Sequence, residues 1–133
     1  MEDLATLVLR ITVGSVFIAH GVPKVFGPVT GPHGRGRTVG LLTSRRLPMP
    51  ELLVWGLALT ELVGGAFVLV GLLTRVAAVP LAVVVALAIP LAKWKHGFID
   101  GWDWPYSLVG ACTTIALLGG GEYSLDASLG LPF

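Results

Sequence analysis

Four apolar stretches, at about residues 4–26, 51–73, 76–93 and 105–119, dominate this chain of 133 residues, and one of them carries an acid, Glu61, near its middle. A helix crosses the hydrocarbon core of a bilayer with roughly 20 apolar residues, and there every backbone polar group must be satisfied within the protein. An ionised carboxylate at that depth costs a few kcal/mol on insertion scales, so it is kept only with a partner or a task. With 54% hydrophobic and 13% charged residues, the composition excludes an ordinary soluble domain. The expected fold is all-α, an integral membrane four-helix bundle forming a single domain over residues 1–133.

The first stretch opens on Glu2-Asp3, acidic where a secretory signal is basic, and no small-x-small cleavage site follows, so it reads as a retained helix. A basic loop of Gly and Pro fills residues 27–50, within which Thr38 to Arg46 suggests a short amphipathic surface helix. Its Gly31-Pro32-His33-Gly34-Arg35-Gly36-Arg37-Thr38 run lacks the Gly-Lys-Ser/Thr ending of a phosphate loop. Pro50 suits a first helical turn with Glu51 beside it at the positive helix end. The short Thr74-Arg75 link makes the second and third spans an antiparallel hairpin. Pro80 and Pro90 should bend the third, and Gly119-Gly120-Gly121 should end the short fourth.

Lys24, Arg35, Arg37, Arg45, Arg46, Lys93 and Lys95 fall on the side of the two larger loops, while the termini carry Glu2, Asp3, Glu122 and Asp126. The positive-inside rule then predicts a multi-pass protein of the cell membrane, with loops 27–50 and 94–104 in the cytoplasm and both termini outside. Trp55, Trp94, Trp102 and Trp104 form a one-sided aromatic belt there. The four arginines suit anionic lipid head groups or a peripheral protein partner. A net charge of +1 gives no reason to expect nucleic acid.

At about 1.5 Å per residue, Arg10, Glu61 and His20 lie at roughly 9, 18 and 24 Å from the terminal side. Arg10 and His20 are therefore the expected partners of Glu61, as a proton relay or as a buried polar cluster that fixes packing. Gly56, Thr60, Gly64 and Gly65, with Gly14 and Gly21 on the first span, serve either helix packing or a slot for a flat ring. At the loop-side interface His20, Lys24, Trp94 and His96 are candidates to hold a cofactor, a quinone head group or, with two imidazoles, haem b. Cys112 stands alone, which excludes an internal disulfide, a CxxC pair and a Cys-rich zinc site, and no metal ligand set is expected.

Several segments taken in order resemble the DoxX family of small bacterial membrane proteins over nearly the whole chain. They are Leu9-Arg10-Ile11 with Gly14 and Phe17, His20-Gly21 with Lys24 and Gly27, Pro48 and Pro50, Glu61 with Gly64-Gly65, Gly71 with Thr74-Arg75-Val76-Ala77-Ala78, and Gly119 to Gly121 with Ser124-Leu125-Asp126. The resemblance implies a four-helix membrane protein associated with oxidoreductase assemblies, such as thiosulfate:quinone oxidoreductase or partners in thiol and superoxide metabolism. It adds weight to Arg10, His20, Lys24, Glu61 and Arg75. Family members often open the fourth span with an acid, where this chain has Trp104-Pro105-Tyr106 preceded by Asp103.

The resulting expectation is a membrane subunit of a quinone-linked or thiol/sulfur redox complex that positions quinone or anchors catalytic partners, and is not catalytic alone. The rival is a non-catalytic scaffold among other subunits or copies of itself. An ion or solute pathway would need the chain to oligomerise.

Overall fold

A computed structural model of the chain describes residues 1–132. Helix α1 is Glu2–Val25, α2 is Arg35–Ser44, α3 is Pro50–Val70, α4 is Thr74–His96, α5 is Asp103–Leu118 and α6 is Leu125–Ser128; there is no strand among the described residues. The fold is all-α and membrane-type. Three helices, α1, α3 and α4, are long and apolar enough to cross a membrane. Helix α5 has 16 residues, about 24 Å of rise, less than the roughly 30 Å of a hydrocarbon core.

Local chemistry explains the helix boundaries. Glu2 and Asp3 sit at the positive end of α1 and Lys24 at its negative end. Pro50 opens α3 with its φ already set. Helix α3 closes in a Schellman motif: Leu72 N–H donates to Phe67 O at 2.9 Å and Gly71 N–H to Val68 O at 3.3 Å. This requires Gly71 at φ +76°, a conformation that a Cβ disfavours. Two π-turns widen the ladders, Thr60–Gly64 in α3 and Ile89–Lys93 in α4. The second contains Pro90, whose missing N–H breaks the regular α pattern.

Helix α1 packs mainly on α3 and α4 mainly on α5; α3 also meets α4, and α5 returns to α1, which closes a ring of four. Val13, Phe17, Val68, Ala78, Leu81, Val85, Cys112 and Ile115 fill its centre. The glycines between α1 and α3 are consumed by close approach. A Cβ at Gly65 would lie 2.9 Å from Phe17 Cβ, and one at Gly21 would lie 2.8 Å from Leu62 N. Gly64 faces Leu81 of α4 in the same way, whereas Gly56 has nothing within 4 Å. Packing, rather than a slot beside the acid, is what Gly14, Gly21, Gly64 and Gly65 provide.

Helix α2 lies against α3 and touches α1 and the Ile89–Lys93 turn, with Leu42 buried. It begins at Arg35 rather than at the expected Thr38. Gly36 N–H bonds to Val29 O at 2.9 Å, so the preceding loop folds back and supports an earlier first turn.

Candidate functional site

The buried polar groups divide into two layers at opposite ends of the bundle. At the end that carries the termini, Arg10 is 1% exposed and spends its guanidinium on backbone. Its Nε donates to Val68 O at 3.0 Å, Nη2 to Leu69 O at 3.0 Å, and Nη1 to Gly120 O at 2.8 Å and Tyr123 O at 2.9 Å. Val68 and Leu69 belong to the last turn of α3, where carbonyls lack helical partners and the dipole is negative. Arg75 does the same for α5, donating from Nη1 to Leu117 O at 2.7 Å and from Nη2 to Leu118 O at 3.2 Å. Asp126 supplies the opposite cap: its carboxylate accepts Leu73 N–H at 2.7 Å, Thr74 N–H at 2.9 Å and Thr74 Oγ1–H at 2.6 Å at the start of α4. This layer joins three helix ends to the C-terminal segment. A shallow cavity of about 200 Å³ beside Arg75, Gly120, Ser124 and Asp126 lies here too, and the polar groups around it are already bonded.

At the loop end, Lys24 Nζ donates to Glu61 Oε2 at 2.5 Å, the one salt bridge among the described residues, with side chains 14% and 9% exposed. Arg10, expected as the partner of Glu61, does not reach it. A helical Cα–Cβ bond tilts toward the N-terminus of its own helix, and α1 and α3 run antiparallel. Arg10 therefore leans toward the termini while Glu61 leans toward the loops, so their side chains diverge. Lys24, one residue from the end of α1, leans inward and meets Glu61. Cα height along the helices favours Arg10 and His20; side-chain direction selects Lys24.

Glu61 stands on the π-turn Thr60–Gly64, the only interruption in α3. Such turns recur at functional sites, because the inserted residue displaces a side chain from the regular helical face. Glu61 Oε2 is taken by Lys24, whereas Oε1 makes no hydrogen bond among the described residues. Arg35 of α2 roofs the pair. Its Nη1 donates to Lys24 O at 3.3 Å, its guanidinium lies 4.4 Å from the Trp55 ring centroid, and its Nε is buried with no partner among the described residues.

One turn back on the same face of α1, His20 Nδ1 contacts Val16 O at 2.8 Å. A carbonyl accepts only, so the proton is on Nδ1 and a neutral ring keeps a lone pair on Nε2. The imidazole stacks on Trp104 at 5.6 Å between centroids, with Lys93 Nζ 5.9 Å from the same indole. His20 makes no hydrogen bond to Glu61 among the described residues. Trp94, expected beside His20, instead stacks on Trp102 at 5.7 Å. His96, in the adjoining turn, lies against Gly101, and no contact joins the two imidazoles among the described residues. Asp103, just before the fourth stretch, accepts Trp104 N–H at 2.9 Å and so serves the opening turn of α5.

The chain is similar to proteins of one family. The DoxX family model matches residues 5–94, which include nearly all of α1, α2 and α3, the Lys24–Glu61 pair and nearly all of α4. A Bacillus subtilis (strain 168) protein named "Putative oxidoreductase CatD" is 30% identical over 124 residues, 93% of this chain and 86% of its own length. The "Uncharacterized membrane protein Rv3486" of Mycobacterium tuberculosis (strain ATCC 25618 / H37Rv) is 36% identical over 141 residues, 94% of this chain and 81% of its own. No solved structure matches significantly. A family match across two thirds of the chain, relatives that align along nearly all of it, and an all-α membrane-type fold place this protein in the DoxX family.

Proposed function

We propose that this chain is a membrane subunit of a redox complex, in which the Lys24–Glu61 pair, with His20 and Arg35, receives the head group of a quinone. The observation that carries the reading is the half-engaged carboxylate: Lys24 holds Glu61 Oε2 on a π-turn while Oε1 is left without a partner. The unpartnered Arg35 Nε is a donor suited to a ring carbonyl, and His20 Nε2 is an acceptor suited to a ring hydroxyl. These groups fit a flat molecule with oxygens at both ends. A quinone would supply carriage of electrons and protons; Glu61 would hold and pass a proton at Oε1, and Lys24 would keep it neutralised between passes. The oxidoreductase name of a relative supports a redox setting. The chain contributes no second cysteine for a thiol pair, so the electrons belong to partner subunits.

The basic α2 and the turn before α5 are proposed to face the cytoplasm, with both termini outside, because the cations cluster at the loop end. The test of function is Glu61→Gln in the intact complex, with quinone-linked turnover and co-extracted quinone measured per assembled complex. Both should fall at least tenfold, and unchanged values would remove the role. The second reading, a scaffold, draws on the close α1–α3 packing and the backbone-capping arginines. It is favoured if Glu61→Gln lowers the yield of complex while activity per complex is unchanged.

A further inference from the structure

We propose that the loop end of the bundle is a docking surface for anionic phospholipid, with Arg37, Arg45 and Arg46 at the level of the phosphates. All three arginines are exposed and none forms an ion pair among the described residues. Glu51, the nearest acid in the chain, is exposed and unpaired with them. Their positions are held rather than loose. Helix α2 is anchored by buried Leu42, and Arg37 Nη1 is braced on Pro32 O at 3.1 Å. The helix end is fastened by Arg46 N–H to Thr43 O at 2.9 Å and Leu47 N–H to Leu42 O at 3.1 Å, with Arg46 at φ +57° turning the chain out of the helix.

The second observation is apolar. Phe26 and Val29 precede α2, and Met49, Leu52 and Leu53 follow it, all exposed. Exposed apolar residues on both flanks of an unpaired basic helix match the two layers of a membrane surface, acyl chains below and phosphates above. Neither half alone selects a lipid. A free phosphate would use the arginines and leave the apolar flanks unsatisfied, and a purely apolar partner would leave the charges unsatisfied. The surface is separate from the Lys24–Glu61 pair, so the inference stands whether or not that pair meets a quinone.

The test uses the full chain in mild detergent. Thermal stability and retained lipid, the latter by native mass spectrometry, are measured with added phosphatidylglycerol, phosphatidylcholine or inorganic phosphate, for the natural protein and for a triple Arg37→Gln/Arg45→Gln/Arg46→Gln variant. These side chains are exposed, and an unchanged helical circular dichroism spectrum shows that the variant folds. Phosphatidylglycerol should stabilise the natural protein and be retained in preference to phosphatidylcholine, with a preference that weakens in high salt. Each arginine near an anionic surface is worth roughly fivefold in affinity, so the triple variant should lose that preference by on the order of a hundredfold. Equal retention of both lipids, or an undiminished preference in the variant, overturns the proposal. Stabilisation by inorganic phosphate alone would identify a free-anion site instead. Absence of any lipid preference in the natural protein, alongside salt-sensitive binding of an acidic peripheral protein, would point to that partner and overturn the lipid reading.

Discussion

Lys24 and Glu61 show why a membrane carboxylate is tied to one cation rather than to the nearest one by height. The pair is short and mostly enclosed, with side chains 14% and 9% exposed, so removing one partner strands the other in a poorly hydrated place. Lys24→Met should lower stability by about 3 kcal/mol, whereas Lys24→Met/Glu61→Met should recover much of that loss. Chemical denaturation in mild detergent reads these together with Glu61→Met, and a double loss equal to the sum of the two single losses would mean that the pair is not coupled. Arg10 behaves differently, because its partners are fixed carbonyls. An ammonium cannot reproduce a planar fork of donors, so Arg10→Lys should cost about 2 kcal/mol in the same assay and raise proteolysis of the segment beyond Gly119.

Helix α3 carries two kinds of glycine, and the difference is visible only in what each faces. A methyl at Gly65 would press on Phe17 Cβ at 2.9 Å and Gly14 O at 3.1 Å, so Gly65→Ala should cost about 1–3 kcal/mol by overpacking. At Gly56 there is open space within 4 Å, and Gly56→Ala should be neutral or stabilising by up to about 1 kcal/mol through helix propensity. Thermal unfolding of the two variants separates these outcomes, and similar values would contradict the packing described. At the start of α4, Asp126 accepts three hydrogen bonds, so Asp126→Asn must turn an amide donor toward donors or lose them. A loss of about 1–2 kcal/mol is expected, with early hydrogen exchange localised to the α3–α4 link.

For the whole molecule, the two polar layers have separate tasks. The terminal layer of Arg10, Arg75 and Asp126 closes helix ends on backbone, and the loop layer holds the pair with Glu61 Oε1 unbonded among the described residues. Cys112 is fully buried within α5 and is the single thiol, so a thiol reagent should react with it only on unfolding. In a Cys112→Ala background, Arg46→Cys and Glu122→Cys should be labelled by an impermeant reagent from opposite faces of the membrane, with residue 122 the outer one. Labelling of both from one side would contradict the proposed topology and a crossing by the short α5.

The helical class, the membrane setting and the family were legible in the order of apolar stretches, because length and hydropathy act locally and need no knowledge of neighbours. Gly14, Gly21 and Gly65 could be recognised as small-residue positions for the same reason. Tertiary structure alone decided which charges meet. Lys24 rather than Arg10 reaches Glu61 because antiparallel helices aim side chains in opposite directions, and Asp126 reaches Thr74 across 52 residues because the final loop folds over the α3–α4 link. The π-turn beneath Glu61 likewise has no signature in the string Thr60-Glu61-Leu62-Val63-Gly64, since the extra residue is accommodated by packing against α1 and α4 rather than by the intrinsic preference of those residues.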